Sequence, residues 1–387
     1  MSSNRRALIW VLAIAAGISA ANLYYAQPLT PLIARELGAS VASVSSALVG
    51  TQLGYAAGML LLVPLGDVLE RRATITVTAL ACALALLGVA AAPSIALLST
   101  ASAAVGLAAA VTQMLVPFAV GLCPPEQRGH VIGVVMGGLL AGILLSRTVS
   151  GTLAAWLGWR AIFVVAAGVM VALAVALRLV LPRVAAPATM SYRALLWSLG
   201  AIVRREPVLR ARCVSGAFGF ASFSVFWSTI AYQVASPAIG RGSATAGLLG
   251  LIGVTGVVIA PIAGRLAMAA YPTRVNIGAL VLVMLSFGVF LAWPASLLAI
   301  SLGVVLLDAG VQGNHLANQT VILGLSGEER SRINAIYMVV YFIGGALGTA
   351  VAAQAWERGG WTAVCVAGLG CALLAMLPLA GHRRHRA

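Results

Sequence analysis

Lysine is absent from this chain, and all 24 of its basic residues are arginine. Acidic residues number nine, and charged side chains of every kind make up 9% of the sequence. Soluble domains carry roughly 25% charged residues. A chain of 387 residues this poor in charge has no means of covering itself with a water-compatible surface. The five cysteines, Cys82, Cys123, Cys213, Cys365 and Cys371, form no CxxC and no Cys/His cluster, which argues against a metal site and against a disulfide framework. No GxxxxGK[ST] run signals an ATPase. The GxSxG and HExxH runs of hydrolases and paired carboxylates within apolar segments are missing too, so no enzyme activity and no cofactor are expected.

What is present is apolar. Hydrophobic residues make up 61% of the chain and the mean hydropathy is +1.03, values of an integral membrane protein. The net charge of +15 would suggest nucleic acid in a soluble protein. Here the arginines lie between apolar runs, so membrane topology accounts for them and no nucleic-acid partner is expected. A spanning helix needs about 20 mostly apolar residues. Twelve such runs are found, at 7–28, 42–65, 73–91, 95–120, 131–155, 161–181, 212–236, 244–263, 276–293, 296–320, 333–355 and 361–380. The first follows MSSNRR and has no AxA-type cleavage site, so it reads as an uncleaved span.

The expected division is therefore an all-α membrane protein of two six-helix bundles, 1–181 and 212–387, joined by a linker at 182–211. With the N-terminus inside, nineteen arginines fall on the inner side, while only Arg35, Arg160, Arg241 and Arg358 fall outside. Both termini are then cytoplasmic by the positive-inside rule, in a cell inner (plasma) membrane. In the linker, Tyr192, Leu195, Leu196 and Leu199 suit a helix lying on the membrane face, with arginines toward anionic headgroups.

The two bundles carry a trace of duplication. Glu126 to Phe163 aligns without a gap on Glu328 to Cys365 at a constant offset of 202 residues. Nine of 38 positions are identical, among them Arg128 on Arg330, Gly142 on Gly344, and Gly158-Trp159 on Gly360-Trp361. Arg147 falls on Thr349, so only the first copy places a charge inside a span.

Two parallel six-helix halves joined by a basic loop match one repeat architecture of secondary transporters, and at this point the chain resembles the major facilitator superfamily. Leu65 to Arg72, LGDVLERR, looks like that family's loop signature G-x3-D-R-x-G-R-R between spans two and three. Gly66 and Asp67 stand in it with the closing basic pair Arg71 and Arg72, while Val63, Val68 and Glu70 depart from it. The resemblance implies a gating role for these residues. A Gly58…Gly66 pair recurs as Gly256…Gly264, followed by Arg265. Span five holds two GxxxG pairs, Gly133/Gly137 and Gly138/Gly142, of the kind that lets helix backbones approach closely. The Gly-Pro usual in this span of the antiporter branch is missing, and Gly142-Ile-Leu-Leu-Ser-Arg147-Thr-Val-Ser-Gly151 stands in its place. That run, with Asn22-Leu-Tyr-Tyr-Ala-Gln27-Pro28 in span one, resembles a prokaryotic drug–proton antiporter-like subgroup. Asn22, Tyr25 and Gln27 then line the cavity.

An ionisable group inside a bilayer needs a reason. Asp308 is the one acid near the middle of a span, and Gln312, His315 and Gln319 follow on the same face, within a stripe of about 60°. Asn314 and Asn318 flank the stripe. Three readings stay open for Asp308: a proton-coupling carboxylate with His315 as helper, a substrate-binding group, or part of a structural network. Arg147 reaches a similar depth in span five, placed to neutralise Asp308, another polar group or an anionic substrate. Phe223 and Trp227 in span seven and Tyr337 and Tyr341 in span eleven offer an aromatic wall to an apolar or amphipathic substrate. Gln52, Tyr55 and Gln113 are further cavity candidates.

The expectation is a monomeric secondary transporter working by alternating access, with proton-coupled efflux of a small drug-like or metabolite molecule favoured over uptake. A non-transporting sensor or scaffold is the remote alternative.

Overall fold

In a bilayer each backbone N–H and C=O must find its partner within the protein, so long apolar runs have to be helical. The computed structural model describes residues 3–184, 191–253, 272–326 and 329–380. Its first half contains α1 (Ser3–Ala21), α2 (Thr30–Leu37), α3 (Val41–Leu61), α4 (Leu65–Val68), α5 (Arg71–Ala90), α6 (Ile95–Ala109), α7 (Val111–Gly121), α8 (Arg128–Leu157) and α9 (Trp159–Val180). After α10 (Tyr192–Arg205) come α11 (Pro207–Ala235), α12 (Ser243–Ile252), α13 (Pro272–Ala292), α14 (Leu297–Ile322) and α15 (Arg330–Ala380).

Among the described residues nine helices are long and apolar enough to cross a bilayer, with Arg6–Ala21 and Ser243–Ile252 as shorter apolar helices. α6 and α7 together make one crossing, Ile95–Gly121. α15 makes two, because its backbone leaves the helical region at Gly359 and Gly360. The layout is consistent with twelve spans. The second half of span eight, with the Gly256…Gly264-Arg265 repeat, lies outside the described residues. Leu84, Trp156, Leu179 and Leu298 are each more than 70% exposed, an apolar exterior that suits lipid and not water.

One buried core runs from Ile9 to Leu181 and a second from Ala221 to Ala372. A third joins the halves, bringing Tyr55 and Met59 of α3 against Phe220 of α11 and Tyr337, Tyr341 and Phe342 of α15. The end of α3 lies beside α10, since the Tyr192 hydroxyl donates to the Leu61 carbonyl at 2.9 Å. This is the linker side, and the start of α3 marks the far side.

The duplicated stretch has a physical explanation. Gly158 and Gly360 both take positive φ, 76° and 58°, a region open to glycine at little cost. Each ends one span so that a buried tryptophan can begin the next. The Trp159 indole N–H donates to Glu36 Oε2 at 2.7 Å, and that of Trp361 to the Phe290 carbonyl at 3.1 Å. Gly142 meets the Gly17 backbone of α1, while its counterpart Gly344 meets the Ala217 backbone of α11. The same glycine thus seats the same helix crossing in each half.

Candidate functional site

Arg147 sits in the C-terminal half of α8, toward the far side, and is 2% exposed. α1 ends at Ala21, and a turn follows into the short 3-10 helix Gln27–Leu29, whose proline suits the start of a helical turn. This break brings Gln27 back against Arg147, whose Nε donates to Gln27 Oε1 at 2.7 Å. Three aromatic rings surround the guanidinium: Trp227 at 4.1 Å, Tyr24 at 4.7 Å and Phe223 at 5.6 Å from its central carbon. Such rings attract a cation through their faces. Phe223 and Trp227 are one turn apart on α11, which explains how both reach it.

Asp308 on α14 is buried, and its Oδ1 accepts from the Trp227 indole N–H at 3.4 Å. Among the described residues no ion pair within 4 Å joins Arg147 to Asp308. Trp227 stands between them, its ring over the guanidinium and its N–H on the carboxylate. α12 presents glycine to both groups. Gly250 faces the Arg147 side chain and Gly253 faces Asp308 Oδ2, so no Cβ obstructs either charge. Further toward the far side, Thr148 Oγ1 donates to the Gly247 carbonyl and Ser243 Oγ to the Gly151 carbonyl, both at 3.0 Å, which zips α8 to α12 across the halves.

The rest of the α14 stripe spreads over several partners. His315 Nδ1 lies 3.1 Å from the Tyr337 hydroxyl, with the Tyr341 ring 4.7 Å from its own. Gln319 donates to Asn334 Oδ1 at 3.1 Å, and Gln312 is half-buried. Asn314 and Asn318 turn away into a separate buried network with Asn276 of α13 and Arg212 of α11. Arg212 also donates to Thr273 Oγ1 at 3.1 Å. The apolar pattern puts Arg212 at the inner edge of span seven. α11 starts five residues earlier than that span, at Pro207, and this puts Arg212 within the helix and 6% exposed. Tyr24, whose ring lies against the Arg147 guanidinium, is a second residue that sequence reasoning does not single out, although it does name the neighbouring Tyr25, half-buried here.

The remaining candidates divide. Asn22 donates to the Ile18 and Ser19 carbonyls of its own helix, both at 3.2 Å. Gln113 donates to the Tyr55 hydroxyl at 2.9 Å, and the Tyr55 ring packs on Phe342 with centroids 4.5 Å apart. Gln52 donates across the halves to Thr349 Oγ1 at 3.3 Å, so the residue aligned with Arg147 also sits at the interface. Phe220 stacks on both Phe223 and Tyr341, extending the aromatic wall from Trp227 toward α15.

In the loop motif Arg71 Nε donates to the Gly66 carbonyl at 3.1 Å, and Asp67 lies in α4. Glu70, a departure from the family pattern, caps α5 by accepting from Arg72 N and Ala73 N. Arg72 Nη1 donates to the Arg178 and Leu181 carbonyls at the end of α9. These contacts tie span three to span six within one half. The glycines of span five need a correction. Gly138 and Gly142 meet the backbone of α1, but Gly133 and Gly137 face away from it, and a Cβ on either would meet nothing. A GxxxG spacing fixes the face that two glycines share, not whether a helix covers it.

Two pseudo-repeated helical halves with a charged, aromatic-lined site at their junction form the architecture of a secondary transporter. The family model described as Major Facilitator Superfamily matches residues 12–349, and the chain belongs to that superfamily of transporters. It is 41% identical over 371 residues to the uncharacterized transporter YgaY of Escherichia coli O157:H7, covering 96% of this chain and 94% of that one. Among solved structures, a point mutant of the nucleoside transporter NupG matches with a TM-score of 0.81 at 14% identity, over 97% of this chain and 99% of that one. A bacterial homologue of the human lysosomal transporter Spinster, inward-facing and unoccupied, matches with a TM-score of 0.74 at 15% identity, over 98% and 95%. At these identities the solved structures show the fold. The protein is therefore a multi-pass membrane transporter and not an enzyme.

Proposed function

We propose that this protein couples solute movement to protons, with Asp308 as the group that carries the proton. The observation that carries this reading is the Arg147–Trp227–Asp308 array. A buried carboxylate in one half and a buried guanidinium in the other lie either side of a single tryptophan. With Asp308 ionised, its charge attracts Arg147 and accepts from the Trp227 N–H, holding the halves together at this depth. Protonation removes that charge and loosens the hold. The seam between α8 and α12 then parts on the far side. Solute and proton share one set of contacts, and their movements are linked through it.

Export in exchange for protons is the expectation from sequence. Arg147 favours the other direction of coupling, joint movement of solute and proton, because a basic group with donors to spare suits an anionic solute best when Asp308 is neutral. We also place both termini in the cytoplasm of a bacterial inner membrane, on the arginine distribution; labelling of cysteines introduced into 191–205 from either side tests this.

The coupling is tested in proteoliposomes with a pH-sensitive dye trapped inside. A transported solute added outside should change the internal pH in the wild type and leave it unchanged in Asp308→Asn. Equal pH responses in the two would remove Asp308 as carrier.

A further inference from the structure

Arg147 carries five N–H donors, and the one hydrogen bond it makes among the described residues is from Nε to Gln27. Nη2 is buried with no hydrogen-bond partner. The three rings lie against the guanidinium, and ring carbons offer no acceptor for in-plane N–H groups. A planar cation is thus held from its faces and by one edge, with its outer edge unused. Beside it Gln27, Pro28, Arg147, Trp227, Ile230 and Ala246 line a sealed, mostly apolar gap with no room for a water.

We infer that the substrate is an organic carboxylate with an apolar or aromatic body, bound by its carboxylate to the free edge of Arg147 and admitted together with a proton. The fork of a guanidinium matches a carboxylate in a two-bond arrangement. Once the α8–α12 seam parts, the rings of Trp227, Phe223 and Tyr24 border the opened site and take the body. The companion proton follows from the neighbours. Arg147 of α8 and Tyr341 of α15 interact electrostatically with Asp308. Tyr24 flanks Arg147, His315 stands two turns along α14, and α11 and α12 offer Trp227 and Gly253 there. Arg147 is the one cation in this set, so an ionised Asp308 beside it repels an incoming carboxylate, and a protonated one does not. Solute and proton therefore bind cooperatively and travel the same way. This rests on the coupling role of Asp308, and the test separates the two.

Calorimetric binding of benzoate, 3-phenylpropanoate and decanoate, each with its matching amine, is measured on purified protein in nanodiscs at about pH 5 and about pH 8. Carboxylates should bind at the lower pH and weaken at least about tenfold at the higher. Asp308→Asn should bind them tightly at both, a gain that misfolding does not mimic. Arg147→Gln should lose about 10- to 100-fold, the loss of a charged hydrogen-bond donor, and Arg147→Lys should recover part of it. Amine binding in place of carboxylate binding, carboxylate binding unchanged in Arg147→Gln, or no binding by any of the carboxylates overturns the inference. Carboxylate binding through Arg147 with a flat pH profile overturns the proton's part in it and the role of Asp308 together. Proton flux driven by an amine and lost in Asp308→Asn sinks the carboxylate and leaves the coupling role standing.

Discussion

Replacing Gly142 by valine drives a branched side chain into the backbone of α1. A Cβ at this position already collides with Gly17, and one at Gly138 with Ala13, because the two helices touch backbone to backbone. Neither helix can yield by rotating a side chain, so the crossing itself must open. Overpacking of this kind costs about 1–3 kcal/mol in well-packed interiors, and the backbone contact places Gly142→Val near the upper end. Gly137→Ala, on an open face of the same helix, should instead stabilise by about 0.5–1 kcal/mol, the helix gain of alanine over glycine. Thermal unfolding in detergent, followed by fluorescence-detected size exclusion, reads both. A Gly142→Val protein as stable as the wild type would refute this account of the crossing, as would a Gly137→Ala protein equally impaired.

Trp227→Phe keeps a ring over Arg147 and deletes the N–H that Asp308 accepts; losing a hydrogen bond to a charged group of about 1.5–3 kcal/mol should shift the pH dependence of transport while expression is retained. Arg72→Ala removes the donor to the last carbonyls of α9 and should lower thermal stability by about 0.5–1.5 kcal/mol, leaving proton coupling intact. On the far side Glu357 Oε1 accepts from the Ala42 N–H at 3.0 Å, across the halves. That backbone bond, and then Ser40, hold its carboxyl below the ordinary carboxylate range. The ionised form makes the contact, so this latch is present above the ordinary carboxylate pKa and lost as pH falls through the lowered one. Spin labels at the start of α3 and beside the Gly359 break in α15 should separate on acidification in the wild type, and in Glu357→Gln the separation should no longer depend on pH.

The helical crossings are legible in the sequence because a bilayer leaves apolar runs few alternatives. The GW repeat is legible too, since a turn that needs glycine before a buried tryptophan explains that pair twice. Gly133 and Gly137 mislead because spacing on a helix does not reveal which face meets lipid. The relation of Arg147 to Asp308 is visible only as similar depth. The tryptophan between them comes from a third helix, α11, and sequence carries no sign of that contact. By spacing, Asn314 and Asn318 belong beside the α14 stripe, but a rotation of roughly a third of a turn gives them to Asn276 and Arg212 instead. Arg212 escapes notice because its helix continues past the apolar run that announces it.

The central claim is that Asp308 carries the coupling proton, and comparing two modes of transport by Asp308→Asn in proteoliposomes tests it most directly. The account predicts that the variant still exchanges labelled for unlabelled solute across the membrane, since alternating access and the Arg147 site remain. It should no longer accumulate solute against a gradient when a pH difference is imposed. Proton-driven accumulation at the wild-type level in Asp308→Asn would contradict the account.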